Sequence, residues 1–454
     1  MLLPFRNVMR TPANDWLVTG APLMLGQALG QFTDLVVVSD ARMTAAMRKQ
    51  KLAVDATPDA TQLSALAEET GGWTAIYGNV FATGAKVRIT AEALDVPTSK
   101  VIARADAEAD AASDVRTAFD RLTVQLLSAV GVTGSSNIVA LTTRSVDAYK
   151  AYAKGVQFAQ EGAFKRSVAS LTEAVRLDSG FAIAWSALAF ASLQANTLVE
   201  LANPFGMTNR SVEQAIRHSD RLSPRQAATL RILQAGIRAD YARAHPLADS
   251  LVATDPEDVT GHTWLGMIEM LDSRLDTTRS PPARMGSFNR SISEAKKVLE
   301  LDPSQLIAFG GPAAMYGMSA GIMKGVVGGR RKQRSSLGED LLGPKDVYYQ
   351  PVLTPDSIVF VVDSEFRSLP MEEQSRDIRR AADAGAAWVQ RWMVASPSDP
   401  EAHLWASRFA ELQDDPARSL EELDQALVLG PESGFENLRA PDVAVGTQRA
   451  LQRG

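Results

Sequence analysis

Residues 148–181, AYKAYAKGVQFAQEGAFKRSVASLTEAVRLDSGF, constrain the fold more than any other stretch of the chain. Apolar residues recur at helical spacing on both sides of Gly162, so the segment is predicted to be two helices joined by a short turn. Gly155 and Ala174 are small where two antiparallel helices would cross closely, and Phe158, Phe164 and Leu171 supply bulk around that crossing. A hairpin of this kind cannot bury its apolar faces alone, so it needs stacked neighbours of the same design.

Composition agrees with a mostly helical chain. Aromatic residues make up only 6% of the 454 residues while alanine is abundant, which favours helix-on-helix packing over a β-sandwich core. The formal net charge of −6 is spread evenly, with no basic domain, so nucleic acid is not an expected partner. The absence of cysteine excludes disulfides, thiol nucleophiles and thiolate metal sites, and leaves the compartment open. No apolar run approaches the ~18 residues of a membrane span. The opening MLLPFRNVMR is too short for a signal peptide because Arg6 interrupts its apolar patch. As written the chain is expected in the cytoplasm, and outside it if a membrane or signal segment precedes residue 1.

The first 131 residues have a different texture. A short strand is expected at 1–8, and a helix at 15–32 through Leu17, Leu25, Leu29 and Phe32, capped by Asn14 or Asp15. The run LVVVS at 35–39 reads as a buried strand. Helices at 42–51 and 61–70 follow, the second stopped by Gly71 and Gly72. Strands at 73–80, 86–94 and 101–107 come next; the KVRITAEAL alternation puts Val87, Ile89, Ala91 and Ala93 on one face. An amphipathic helix at 114–130, with Val115, Phe119, Leu122, Leu126 and Val130, closes an α+β domain of order βαβααβββα. This order, with the phrases LLPF, GAPLMLGQAL, LVVVS, AIYGNV and VRITAEALD, resembles the amino-terminal domain of TolB. The resemblance implies a domain of the kind that precedes repeats in bacterial signalling proteins.

Residues 132–144, rich in Gly, Ser and Thr, are expected to be a linker, and Ser145 can cap the next helix. From there the chain resembles the tetratricopeptide repeat, a two-helix unit of ~34 residues. Gly155 and Phe158 match its helix A; Phe164, Leu171, Ala174 and Leu177 match helix B. Trp185, Leu188 and Ala189 begin a second unit. Tyr241, Ala244, Ala248, Leu251 and Pro256 carry a later helix B, although Pro246 is expected to strain or shift its start. Leu265 and Gly266 open another unit, interrupted around 272–288, and 401–431 gives a last one. The expectation is an all-α tetratricopeptide-like solenoid of about five to six worn repeats, over 145–309 and again over 363–454 with a tail. Residues 310–362, with GG, VVGGRRKQRSS, GPKD and TPDS, are expected to be an irregular insertion carrying one or two short strands.

The resemblance implies that helix A builds the binding wall, which places Tyr149, Tyr152, Gln160, Phe190 and Gln194 on it as candidate contacts for a partner peptide or protein. The alternative is that some of them pack on the α/β domain or on the next repeat. The Lys, Asn and Arg set with which some tetratricopeptide proteins grip a carboxyl terminus is missing from the matching positions. The basic patch Arg330, Arg331, Lys332 and Arg334 lacks P-loop spacing and reads as a solvated loop. His218, His245, His262 and His403 are isolated in sequence and read as surface or packing residues rather than metal ligands. No nucleophile-elbow, dinucleotide or Walker phrase is present, so no catalytic, cofactor or metal residues are assigned. The resulting expectation is a non-catalytic interaction scaffold or sensor module of a bacterial signalling system. In similar proteins this pair of regions follows a Ser/Thr kinase, cyclase or DNA-binding domain, none of which lies in these residues. An envelope-associated assembly protein is the alternative, and an enzyme with an unfamiliar site in 310–362 the third reading. Partner, compartment and oligomeric state are not legible.

Overall fold

The computed structural model describes residues 1–429 other than 11–13, 31–34, 36, 39, 53–56, 84–85, 111–114, 130–142, 144, 161–162, 196–205, 273, 277–282, 304, 328–341, 344–346 and 354–357. The chain divides into two compact units, 1–234 and 235–454.

The first unit opens with β1 (Arg6–Asn7), α1 (Trp16–Leu29), α2 (Asp40–Lys49), α3 (Ala60–Thr70), β2 (Thr74–Thr83), β3 (Lys86–Asp95), β4 (Lys100–Ala109) and α4 (Val115–Ala129). The strands form one sheet in the order β1-β2-β3-β4, with β1 parallel to β2 and the other pairs antiparallel. The period-two pattern sets its faces. Val87, Ile89, Ala91 and Ala93 are buried, as are Ala103, Ala105, Ala107 and Ala109 of the adjoining strand. The other face carries paired charges, Arg88 with Asp106 at 3.0 Å and Arg104 with Glu92 at 2.9 Å. Helix α4 packs on β3 and β4, burying Val115, Phe119, Leu122 and Leu126, and Phe119 meets Phe5 edge-on at 6.1 Å. Gly78 makes room for Phe5, whose ring would lie 2.3 Å from a Cβ at that position. On β4, the Gln125 amide of α4 accepts from the Asp106 N–H at 3.0 Å and donates to the Asp106 carbonyl at 3.1 Å, closing that part of the strand to another chain.

Local signals explain much of this layer. Asp59 and Gln62 form a reciprocal capping box at the start of α3, and Gly71 ends that helix in the left-handed region at φ 70°. The strand expected at 35–39 is not formed by its described residues. Leu35 and Val37 pack half-buried on Ala28, Leu29 and Leu127, and Val38 packs on the cluster of Met43, Met47 and Leu66. Burial is satisfied there by side-chain packing rather than by a ladder, so the order is βαααβββα.

The repeat helices begin with α5 (Val146–Gln160), α6 (Phe164–Leu177), α7 (Ala182–Ala195) and α8 (Gly206–Arg217), followed by α9 (Pro224–Ile237). Ser145 caps α5, its Oγ accepting from the Ala148 N–H at 3.1 Å. The linker expected at 132–144 lies almost wholly outside the described residues. The second unit holds α10 (Tyr241–Thr254), α11 (Val259–Leu271), β5 (Leu275–Asp276), β6 (Ala283–Arg284), α12 (Phe288–Leu301) and α13 (Ile307–Val327). It continues with β7 (Leu342–Gly343), β8 (Val347–Leu353), β9 (Ile358–Val362), α14 (Asp363–Ser368), α15 (Met371–Ala395), α16 (Pro400–Leu412) and α17 (Pro416–Leu429). Helix A and helix B pair as α5/α6, α7/α8, α11/α12, α13/α15 and α16/α17.

Small residues set the crossings. Ser167 Oγ donates to the Gly155 carbonyl at 2.8 Å, Ser291 Oγ to the Gly266 carbonyl at 2.7 Å, and Ser407 Oγ to the Ser419 carbonyl at 2.7 Å. A Cβ at Gly155 would stand 2.6 Å from Leu171, so glycine is required there. These recurrent helix pairs give the helical part of the chain a tetratricopeptide-like arrangement. Two expectations are corrected. Residues 310–327 belong to α13 rather than to an irregular insertion, and Pro246 lies inside α10, which starts at Tyr241. The short strands expected further on are β8 and β9; Arg330, Arg331, Lys332 and Arg334 lie outside the described residues.

Candidate functional site

The aromatic face expected to line a partner groove is covered in the first unit. Tyr149 and Tyr152 are 3% and 4% exposed. Tyr149 packs on Trp16 of α1 at 6.1 Å and on Phe181 at 5.9 Å, while Tyr152 meets Phe181 edge-on at 5.2 Å. The Gln27 amide approaches the Tyr152 hydroxyl at 3.5 Å. Burial holds both phenols above their ordinary range. These two tyrosines therefore join the α/β layer to the first repeat and do not stand on an open wall. A repeat array must cover its terminal face with something other than a further repeat, and α1 covers α5. Phe190 is half-buried on α7. Gln160 and Gln194 fall on α5 and α7, with side chains outside the described set.

Three helix A segments share a contact that the sequence did not announce. Trp185 Nε1 donates to the Ser179 carbonyl at 2.8 Å; His262 Nε2 lies 2.9 Å from the Pro256 carbonyl and His403 Nε2 3.1 Å from that of Pro397. The spacing is the same each time, six residues back into the preceding turn. Both histidines are buried, and each reaches across to helix B: His262 Nδ1 to Glu294 at 2.5 Å, His403 Nδ1 to Glu422 at 2.7 Å. The legible signal is a proline six residues before a histidine, matched by Ser-x-x-Glu on helix B at 291–294 and 419–422.

The second unit places partly buried apolar side chains on successive A helices. Helices α11, α13 and α16 are neighbours, and glycines bring them close. A Cβ at Gly311 would lie 3.7 Å from the Met270 sulfur, and one at Gly317 would lie 2.8 Å from the Trp405 ring. Met270, Tyr316, Met318 and Trp405 are partly buried against the core cluster and partly open. Arg408 lies over the Trp405 ring at 5.2 Å. Beside them, burial first and the Asp399 carboxylate second push the Glu401 carboxyl up to about 7, against a hydrogen bond from Trp405 and the charge of Arg408. Trp405 thus offers aromatic contact flanked by one carboxyl and one guanidinium.

A denser charged cluster lies where the insertion after α11 begins. Buried Glu269 accepts from Arg290 at 2.9 Å and from the Ser287 N–H at 2.8 Å. Buried Asp272 is paired with Arg274 at 2.8 Å and His245 at 3.0 Å. The Gly286 N–H returns to the Asp272 carbonyl at 3.1 Å, so the cluster fastens the base of the insertion. Its acceptors are occupied by the protein's own donors. Among the described residues no group of three or more His, Asp or Glu side chains is placed to hold a metal ion. No described helix is long and apolar enough to cross a membrane.

No family model and no curated protein matches the sequence. Among solved structures, the chain is similar to a monomeric mutant of IFIT1 with Gppp-AAAA, at 10% identity and a TM-score of 0.43, over 74% of this chain and 64% of that one. It is also similar to PilW, a type IV pilus biogenesis factor, at 11% identity and a TM-score of 0.31, over 64% of this chain and 98% of that one. The APC/C hetero-tetramer Cut9–Hcn1 gives 11% identity and a TM-score of 0.30, over 64% and 42%. The chain spans about 64% of the IFIT1 chain's length. At these TM-scores the likenesses carry nothing about what this chain binds.

Proposed function

We propose that this chain is a non-catalytic scaffold that binds a protein segment on its A helices. The observation that carries this reading is that Met270, Tyr316 and Trp405, on three neighbouring helices of one unit, are apolar side chains only partly buried against the core. Such a surface suits a peptide or helix that buries apolar anchors, with Glu401 and Arg408 fixing its polar groups. Phe190, with Gln160 and Gln194, forms the proposed contact set of the first unit. The resemblance of residues 1–131 to the TolB amino-terminal domain supports a place in a bacterial signalling assembly; an envelope assembly role is the alternative, and the identity of the partner separates them.

A photo-crosslinking amino acid placed in the full chain at Trp405, at Phe190 and at Val394 tests the reading. Val394 is 73% exposed on α15, a helix B. The expected result is one discrete partner from the first two positions and none from Val394. The purified partner should then lose about tenfold or more in affinity on Trp405→Ala, the effect of one anchor worth about 1.4 kcal/mol. Equal capture from Val394, or unchanged affinity, contradicts the proposal.

A further inference from the structure

His262 is buried with a hydrogen-bond acceptor at each ring nitrogen. Nδ1 faces the Glu294 carboxylate at 2.5 Å and Nε2 faces the Pro256 carbonyl at 2.9 Å. A carbonyl cannot donate, and a neutral imidazole carries one N–H only, so a neutral ring would leave one of these close contacts without a proton. We infer that His262 is held as an imidazolium donating from both nitrogens, so that one proton fastens α11 both to α12 and to the turn before α11. Arg290 lies 3.9 Å from the other oxygen of Glu294. Lys297 of α12 is the charge that opposes the imidazolium, and α10 presents the apolar Leu251 and Val252 to Gly261 beside it.

The same two contacts recur at His403 with Glu422 and Pro397, so the arrangement belongs to the repeat register rather than to one turn. The direction of titration agrees: the hydrogen bond with Glu294 raises the His262 pKa, against the cost of burial. The sign follows from linkage. A histidine raised in the folded state contributes stability that is complete below its unfolded value of about 6.5 and is lost as pH rises through the folded value. The α11–α12 pair should therefore loosen on mild alkalinisation. This inference is independent of what the A helices bind.

Ring-nitrogen NMR on the uniformly labelled full chain tests it, and with only four histidines the assignment follows from single His→Gln variants. The expected result is that both ring nitrogens of His262 resonate as imidazolium at pH 6 and titrate together with a midpoint above about 6.5. Glu294→Gln, checked for folding by circular dichroism, should lower that midpoint, and its stability deficit against wild type should close as pH passes the wild-type midpoint. A midpoint at or below about 6.5, or one unmoved by Glu294→Gln, overturns the inference.

Discussion

The α5–α6 pair of the first unit and the α11–α12 pair of the second share one register, glycine on helix A facing serine on helix B. Different forces hold their surroundings. Around α5, Trp16, Tyr149, Tyr152 and Phe181 make an aromatic cluster with ring centroids 5.2 to 6.1 Å apart. Around α11, Glu269, Asp272 and His262 are buried and answered by Arg290, Arg274, His245 and Glu294. The first repeat has to dock a sheet-and-helix layer, and apolar area does so without desolvating charge. The second carries an insertion whose base must be anchored in one place, and directional polar contacts fix its position. One repeat design thus accepts either kind of fastening, and each should fail in its own way.

The largest expected effect is that of Phe181→Ala, which removes the ring shared by both tyrosines. It should cost about 3–5 kcal/mol, the usual range for a buried aromatic, with the same loss at pH 6 and pH 8. Peptide-resolved hydrogen exchange should show the loosening within 1–234; equal loosening of 235–454 would break the contrast. Glu269→Ala should cost about 3 kcal/mol, because it removes a buried carboxylate that accepts from Arg290 and from the Ser287 N–H and leaves a gap in its place. Its exchange signature should centre on α11, α12 and the base of the insertion, and a loss below ~0.5 kcal/mol in chemical denaturation would remove the polar half of the comparison.

Glu401→Gln should act in the opposite direction. A carboxyl raised from 4.5 to about 7 stabilises the fold below its unfolded value and loses that stabilisation as pH rises through the folded one. Glutamine stays neutral, so the variant should exceed wild type by up to about 3.5 kcal/mol at pH 8, at ~1.4 kcal/mol per unit, and match it near pH 4. A variant no more stable than wild type at pH 8 would mean that this carboxyl is better solvated than its surroundings imply.

The helix pairs and the sheet faces were legible because they rest on period: 3.6 for the repeats, two for the alternation at 86–94. What escaped depended on tertiary partners. Residues 310–327 look like a loop because Gly310, Gly311 and Gly317 are poor helix formers, yet two of them make room, Gly311 for Met270 and Gly317 for Trp405. The run at 35–39 was rightly apolar but found its burial against helices. The Tyr149 and Tyr152 face followed the helical period, which cannot say which neighbour covers it; the answer lies more than a hundred residues away in Gly20 and Gln27. His262 and His403 looked isolated because their carboxylate partners are on the following helix. Their shared spacing from Pro256 and Pro397 was visible throughout, but only the fold gives it meaning.

The most direct test of the central claim is peptide-resolved hydrogen exchange on the full chain with and without the crosslinked partner. The expected result is new protection on α11, α13 and α16 where Met270, Tyr316 and Trp405 lie, with little change on α17 or around Val394. Protection confined to the charged face of the sheet, or to the B helices, would contradict the binding wall proposed for the second unit.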